Sequence, residues 1–283
     1  MSFTIEKFVD HEQWLATRRQ HVTATEIAAL ASGGRDTWDR IRREKETGER
    51  SFTGNRFTRW GQEREPIIAD FVSTFLEESL RPTRDVYVLD GSVISCTPDM
   101  IDGGAHLVAE LKTKRGGWDE PPQRYLDQIQ VQLLVTGADH CLLVMEPYDY
   151  ADDGQFEVIG DYWFTRIYPD PDRQAHLQHL VDLFVAGEYP ERPVPAELQG
   201  FVDDYLDAKQ RMDDAKHAIE EIVGIEKNTF DLEGATVTVV PDGKSTRLDG
   251  KALAEDHPEI AAHYYQTSPR KGGVRIKERK EAA

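Results

Sequence analysis

Cysteine is nearly absent: the 283 residues include two, Cys96 and Cys141. Both lie in apolar, strand-like runs and read as small buried hydrophobes, although a pairing between them is left open. A disulfide framework is not indicated, and a cluster held by four cysteines is excluded by the count. No apolar run approaches the ~18 residues that would span a bilayer. The start, Met1-Ser2-Phe3-Thr4-Ile5-Glu6-Lys7, lacks a basic stretch followed by an apolar one, so no secretory signal is read and a cytoplasmic location is expected. His106, His140, His176 and His179 show no metal-ligand spacing and read as structural.

Positive charge is also in deficit, with 34 Lys and Arg against 52 Asp and Glu and a formal charge of −18. That balance argues against nonspecific coating of DNA, which depends on cationic contacts to phosphates. It does not exclude a DNA enzyme, because local distribution matters more than the sum. The cations are clustered: Arg18-Arg19, Arg35 to Arg50, Arg56 to Arg64, Lys112 to Arg115, and the tail from Arg270 to Lys280.

What is present is a core-forming chain, with 39% hydrophobic residues and five Trp. Thr23 with Glu26 three residues on has capping-box spacing and predicts a helix start. Thr37 to Lys45 predicts a second helix, and Trp60 to Pro66 opens a third, whose Ile67, Ile68, Phe71, Val72, Phe75 and Leu76 follow helical spacing. Strands are expected at Asp85–Leu89 and Val93–Cys96 around an Asp90-Gly91 turn, and at His106–Lys112. A helix from Gln123 to Val135 stops at Gly137. Strands at His140–Glu146 and Phe156–Ile167 follow, then a helix at Asp172–Ala186. This order implies an α/β or α+β domain with a mixed sheet.

The Pro-rich run Tyr189 to Pro195 marks a boundary. It separates a core domain at 1–189 from an extension at 196–283. The extension reads as a polar helix (Ala196 to Val223), then a hairpin of Ala235–Val240 and Lys244–Leu248 turning at Pro241-Asp242-Gly243. A short helix near Leu253–Tyr265 and the basic tail complete it.

The candidate site centres on Asp99 and the triplet Glu110-Leu111-Lys112. Successive strand residues point to opposite faces, so Glu110 and Lys112 share a face while Leu111 turns away. Asp99 ends the preceding strand-like run and reaches the same place across a turn at Asp102-Gly103-Gly104. Two carboxylates and a backbone carbonyl are hard oxygen donors of the kind Mg²⁺ prefers. A lysine beside such an ion can act on a water and stabilise charge on a phosphate, which outlines a phosphodiester hydrolase. The alternative is a hairpin with solvent-facing charges. Glu65 offers a further carboxylate, or merely complements a helix dipole. Tyr125, Gln128 and Gln132 fall on one helix face and either support the site or face solvent. Arg18 with Thr25 makes a candidate anion pocket, or an ordinary capped helix with a nearby Arg.

In order along the chain, Trp14…Arg18…Val22-Thr23-Ala24-Thr25-Glu26, Trp60-Gly61-x-x-x-Glu65, Thr97-Pro98-Asp99, Glu110-Leu111-Lys112 and Tyr125-x-x-Gln128-x-Gln130 resemble the phage lambda exonuclease and YqaJ-type viral recombinase family. That family lies within the PD-(D/E)xK nuclease superfamily. The resemblance runs from about Trp14 to Ala186 and implies a restriction-endonuclease-like core with a mixed central sheet flanked by helices. It further implies that Asp99, Glu110 and the Leu111 carbonyl bind Mg²⁺, with Mn²⁺ as a substitute and Glu65 assisting. By the same resemblance Lys112 acts on the attacking water, Gln128 supports it, and Arg18 with Thr25 receives a 5′-phosphate. The implied activity is 5′→3′ digestion of double-stranded DNA from its ends in phage-type recombination, in the host bacterial cytoplasm. A homotrimer and a single-strand annealing protein partner are implied as well. The segment after Pro195 departs from the compact lambda-type enzyme, which bears most on the trimer. Two rivals stay open: an endonuclease of the same superfamily, and a non-catalytic protein that binds DNA ends.

Overall fold

The computed structural model describes residues 2–8, 10–49, 51, 54–151, 153–191, 195–224 and 226–241, together with 250, 253, 257 and 260. The chain divides into two compact units, one holding Met1–Pro190 and the other Glu191–Leu253.

The first unit starts with strand β1 (Phe3–Glu6), helix α1 (His11–Gln20), β2 (Val22–Thr23), α2 (Ala24–Ser32) and α3 (Arg35–Thr47). The expected capping box is present: the Thr23 hydroxyl accepts from the Glu26 amide, and the Glu26 carboxylate accepts from the Thr23 amide at 2.8 Å. Helix α4 (Arg56–Phe71) starts four residues earlier than Trp60, because Asn55 caps it by accepting from the Phe57 and Thr58 amides. Pro66 therefore lies inside α4, where it withholds the N–H that Gln62 would otherwise bond. A wider helical turn, Val72–Leu76, continues it.

Next come β3 (Arg81–Pro82), β4 (Val86–Leu89), β5 (Ile94–Cys96), β6 (Met100–Ile101), β7 (Leu107–Arg115), α5 (Gln123–Thr136) and β8 (His140–Tyr150). β9 (Phe156–Val158), β10 (Trp163–Ile167) and α6 (Pro171–Val185) complete the unit. The single strand expected at Phe156–Ile167 is thus two, parted at Gly160, which takes a positive φ of 68°. Strands β1 and β4–β5–β2 form a small sheet. The larger sheet runs β10–β8–β7–β6–β3, with β9 pairing β8. Among the described residues only β7 and β8 are parallel within it, and α5 makes their crossover. It is a mixed central sheet flanked by helices, the expected fold class.

β7 is the organising strand. Leu107, Ala109 and Leu111 pack with Ile68, Ala69 and Val72 of the α4 layer. Val108 packs on the opposite face with Ile129 and Leu133 of α5. The period of two therefore delivers Glu110 and Lys112 to the α5 face and Leu111 to the α4 face.

In the second unit, α7 (Leu198–Val223) is followed by β11 (Asn228–Leu232) paired antiparallel to β12 (Ala235–Val239). β12 matches the first strand of the expected hairpin and pairs with the preceding β11 through a turn at Glu233-Gly234. The positive φ of Gly234 (85°) makes that tight turn possible. The expected return strand Lys244–Leu248, and all but isolated positions of the helix near Leu253–Tyr265, lie outside the described residues.

Candidate active site

The hairpin between β6 and β7 holds the first carboxylate. Its turn is closed by Asp102, whose side chain accepts from the Leu107 amide at 3.0 Å and whose carbonyl accepts from Ala105. Asp99, just before β6, is thereby laid against β7. Its Oδ2 accepts from the Leu111 amide at 2.6 Å. Burial, then the charge of Glu110, drives the Asp99 carboxyl well above the usual carboxylate range; Lys112 and the Leu111 amide partly offset this, and Glu65 adds to it.

Glu110 is buried, 1% exposed, and both its oxygens are engaged. Lys112 Nζ and Gln128 Nε2 donate to Oε1, the latter at 2.5 Å, and Gln132 Nε2 donates to Oε2 at 2.5 Å. Lys112 Nζ also stands 5.2 Å from the Tyr125 ring centroid. Burial alone would lower the Lys112 pKa, but the negative charges of Glu110 and Asp99 outweigh it and raise it. Lys112 is held as an ammonium. The helix-face stripe Tyr125, Gln128 and Gln132 thus faces this strand rather than solvent.

Above the site opens a cleft of about 240 Å³. Thr58, Gly61, Gln62 and Glu65 of α4 form one wall, and Asp99, Leu111, Lys112 and Thr113 the other. Glu110 is not among the lining residues; it stands behind Lys112. Arg18 and Thr25 do not line the cleft either. Arg18 stacks its guanidinium 4.4 Å from the Trp14 ring on α1, and Thr25 is exposed in the first turn of α2. The α2 N-terminus already receives a carboxylate, that of Glu26, which is ion-paired to Lys45 at 2.8 Å.

Among the described residues no group of three or more His, Cys, Asp or Glu is gathered as a metal cage. The donors present nevertheless fit a hard divalent cation. Burial and the charge of Glu110 disfavour the ionised form of Asp99, a cation is what would relieve that, and the intervening Leu111 carbonyl is a further hard oxygen donor. Mg²⁺ takes few protein oxygens and keeps several waters, so a closed cage is not needed.

Two ion pairs escaped the sequence reading. Arg64 on α4 makes a two-pronged pair with buried Glu146 on β8, both contacts 2.7 Å, and Tyr162 donates to Glu146 at 2.9 Å. Arg173 on α6 makes a similar pair with buried Asp127 on α5, at 2.8 and 2.8 Å. The first ties down the helix bearing Glu65; the second ties down the helix bearing Gln128 and Gln132. Arg64 and Glu146 are 82 residues apart, so no local spacing signals them.

The mixed central sheet with its flanking helices is consistent with a PD-(D/E)xK-like, restriction-endonuclease-type core. Residues 13–139 match the YqaJ-like viral recombinase domain. The chain is similar to the crystal structure of an alkaline exonuclease (LHK-Exo) from Laribacter hongkongensis, at 22% identity and TM-score 0.51, over 71% of this chain and 98% of that one. The same enzyme in complex with dAMP aligns over the same shares at TM-score 0.50 and 22% identity. A phage-related exonuclease from Haemophilus somnus 129PT aligns at 14% identity, over 58% of this chain and 91% of that one, with TM-score 0.46. No curated protein matches the chain.

Proposed function

We propose that this protein is a Mg²⁺-dependent exonuclease that digests duplex DNA from 5′ ends, in phage-type recombination. The observation that carries the reading is the meeting of Asp99, Glu110 and Lys112 on and beside one segment of β7, with Asp99 and Lys112 lining a cleft. The YqaJ-like match and the similarly folded alkaline exonuclease support DNA as the substrate and an exonucleolytic mode.

Asp99, Glu110 and the Leu111 carbonyl would hold the cation, with Glu65 across the cleft. Bound there, Mg²⁺ or Mn²⁺ supplies an activated water and Lewis-acid stabilisation of the phosphate. The remaining work belongs to the chain. Lys112, charged and lining the cleft, donates hydrogen bonds to phosphate oxygens and orients the attacking water as negative charge grows. Gln128 and Gln132 fix the Glu110 carboxylate, so that Glu110 stays beside Lys112 without rearranging. Arg18 and Thr25 would receive the terminal 5′-phosphate. Homo-oligomerisation, as a trimer, and a single-strand annealing partner complete the proposal.

The test is digestion of linear duplex labelled at the 5′ or the 3′ end, with or without a 5′-phosphate, in Mg²⁺ or EDTA. A closed circular duplex is run beside it. Mg²⁺-dependent loss of the 5′ label, faster with the phosphate and with the circle intact, is expected. Cutting of the circle would make the protein an endonuclease; end binding with no metal-dependent release would make it a binder. Mass measurement in solution tests the trimer.

A further inference from the structure

Helix α7 carries a heptad seam that its polar composition conceals. Leu198, Phe201, Tyr205, Ala208, Met212, Ala215, Ile219 and Ile222 are spaced by alternating steps of three and four, without a break. That is the a/d pattern of a coiled coil, sustained over three heptads and more. An apolar stripe of this length on an ordinary surface helix is normally covered. Here all eight positions are exposed, Phe201 by 70%, Met212 by 64% and Ile222 by 84%.

The residues flanking the seam say what would cover it. With Leu198 at position a, the e positions are Val202, Lys209, Lys216 and Val223, and the g positions are Asp204, Arg211 and Ala218. The acidic residues otherwise fall on the back: Asp203, Asp207, Asp213, Asp214, Glu220 and Glu221. A chain with a strongly negative total thus presents a locally cationic border along one apolar stripe.

A second copy fits that border poorly. Parallel and in register, Asp204 meets Lys209 of the other helix, but Arg211 meets Lys216. Antiparallel, the apolar layers pair symmetrically, but Lys209 meets its own copy and Arg211 meets its own copy. Neither arrangement gains net charge pairing. A different helix with acidic flanks gains at Lys209, Arg211 and Lys216, the last also 3.9 Å from Glu220 of its own helix, and is opposed only at Asp204.

We infer that the exposed face of α7 is a docking surface for an amphipathic helix of another protein, one with aliphatic residues in its seam and Glu or Asp at its flanks. The inference concerns the second unit alone and stands whether or not the cleft of the first is a nuclease site.

The experiment uses the full chain and two synthetic four-heptad peptides, identical in a Leu/Ile seam, one with Glu and the other with Lys at every e and g position. Binding is read by fluorescence anisotropy, and self-association of the chain by light scattering. The acidic peptide should bind at least tenfold more tightly than the basic one. The triple variant Lys209→Glu, Arg211→Glu, Lys216→Glu should reverse the preference, while circular dichroism remains unchanged. Ile219→Asp should abolish binding of the acidic peptide to the otherwise wild-type chain. Equal affinity for both peptides overturns the charge argument. A chain dimer or trimer that Phe201→Asp disperses would make the face a self-contact instead. A monomer that binds neither peptide would mean the seam is already covered or does not dock helices, and the inference would fall.

Discussion

Asp99 reaches across from the β6 hairpin to accept a hydrogen bond from the backbone amide of Leu111, 2.6 Å away. The contact places its carboxylate beside the β7 segment that carries Glu110 and Lys112, in a setting that disfavours its charge. Folded Asp99 consequently holds its proton to a higher pH than the unfolded chain does, in which Asp titrates near ~3.9. Below that value both states are protonated and Asp99 has no effect on stability. As pH rises through the window up to the folded value, the unfolded state releases its proton first and stability falls. In EDTA near neutral pH, Asp99→Asn should therefore raise the melting temperature, and the gain should vanish at acid pH. Mg²⁺ should raise the wild-type melting temperature more than that of the variant. A thermal scan of both proteins with and without Mg²⁺ checks each part; an unchanged or lower melting temperature for the variant in EDTA would refute the assignment.

Lys112 makes a different kind of contribution. Its ammonium is held charged by Glu110 and Asp99 and lines the cleft. A donor aimed at charge that develops in the transition state typically carries about 10²–10³ of the rate. Lys112→Ala should lower kcat by at least that factor, while the affinity for DNA ends measured by gel shift stays close to wild type. Hydrolysis at near wild-type rate would refute the role proposed for it.

Gln132 was legible only as one point in a polar helix stripe, and its weight comes from where it is buried. It donates to Glu110 Oε2, while Gln128 and Lys112 take the other oxygen. Gln132→Met keeps the side-chain volume and removes that donor, leaving a buried carboxylate oxygen unsatisfied. The cost should be about 1–3 kcal/mol of stability by urea titration. Activity should fall as well, because Glu110 is then free to rotate. Gln128→Met should reduce activity with a smaller loss of stability, since Lys112 still satisfies the shared oxygen.

These residues illustrate which parts of the fold can be read from the chain. β7 and its hairpin were legible because the apolar run Leu107-Val108-Ala109 after a Gly-Gly turn is a local signal, and α5 because Pro122 and Gly137 punctuate it. The meeting of Asp99 with Glu110 and Lys112 followed from the same short-range geometry. What was not legible depends on long-range pairing or on exposed strands. β1 is specified by its pairing with β4, more than eighty positions along. β11 is exposed along its whole length, so it shows no buried alternation. The start of α4 lies earlier than the sequence implies, because Pro66 reads as a first-turn residue whereas Asn55 supplies the cap. Arg18 and Thr25 pair in the sequence through a helix N-terminus and a nearby Arg; in the fold Glu26 caps that N-terminus and Arg18 lies over the Trp14 ring, so the comparison with and without a 5′-phosphate decides the pocket.

The Arg64–Glu146 pair is the long-range feature with the largest expected effect. Glu146 is almost wholly inaccessible, and its oxygens are met by both prongs of the guanidinium and by the Tyr162 hydroxyl. Burial and the contact with Glu146 raise the Tyr162 pKa, so the phenol stays a donor across the neutral range. Removing Arg64 alone strands a buried carboxylate, which typically costs about 3–5 kcal/mol. Replacing both partners with apolar residues of similar volume removes the stranded charge and should restore much of that loss. Arg64→Met should thus be strongly destabilised in urea, and Arg64→Met with Glu146→Leu markedly less so. Because α4 also supplies the cleft wall with Gly61, Gln62 and Glu65, the double variant separates stability from positioning. If the pair also sets the position of that wall, the stable double variant should show a raised KM for DNA, or a raised Mg²⁺ requirement, with the fold intact. Full activity in the double variant would limit Arg64 and Glu146 to holding the helix on the sheet.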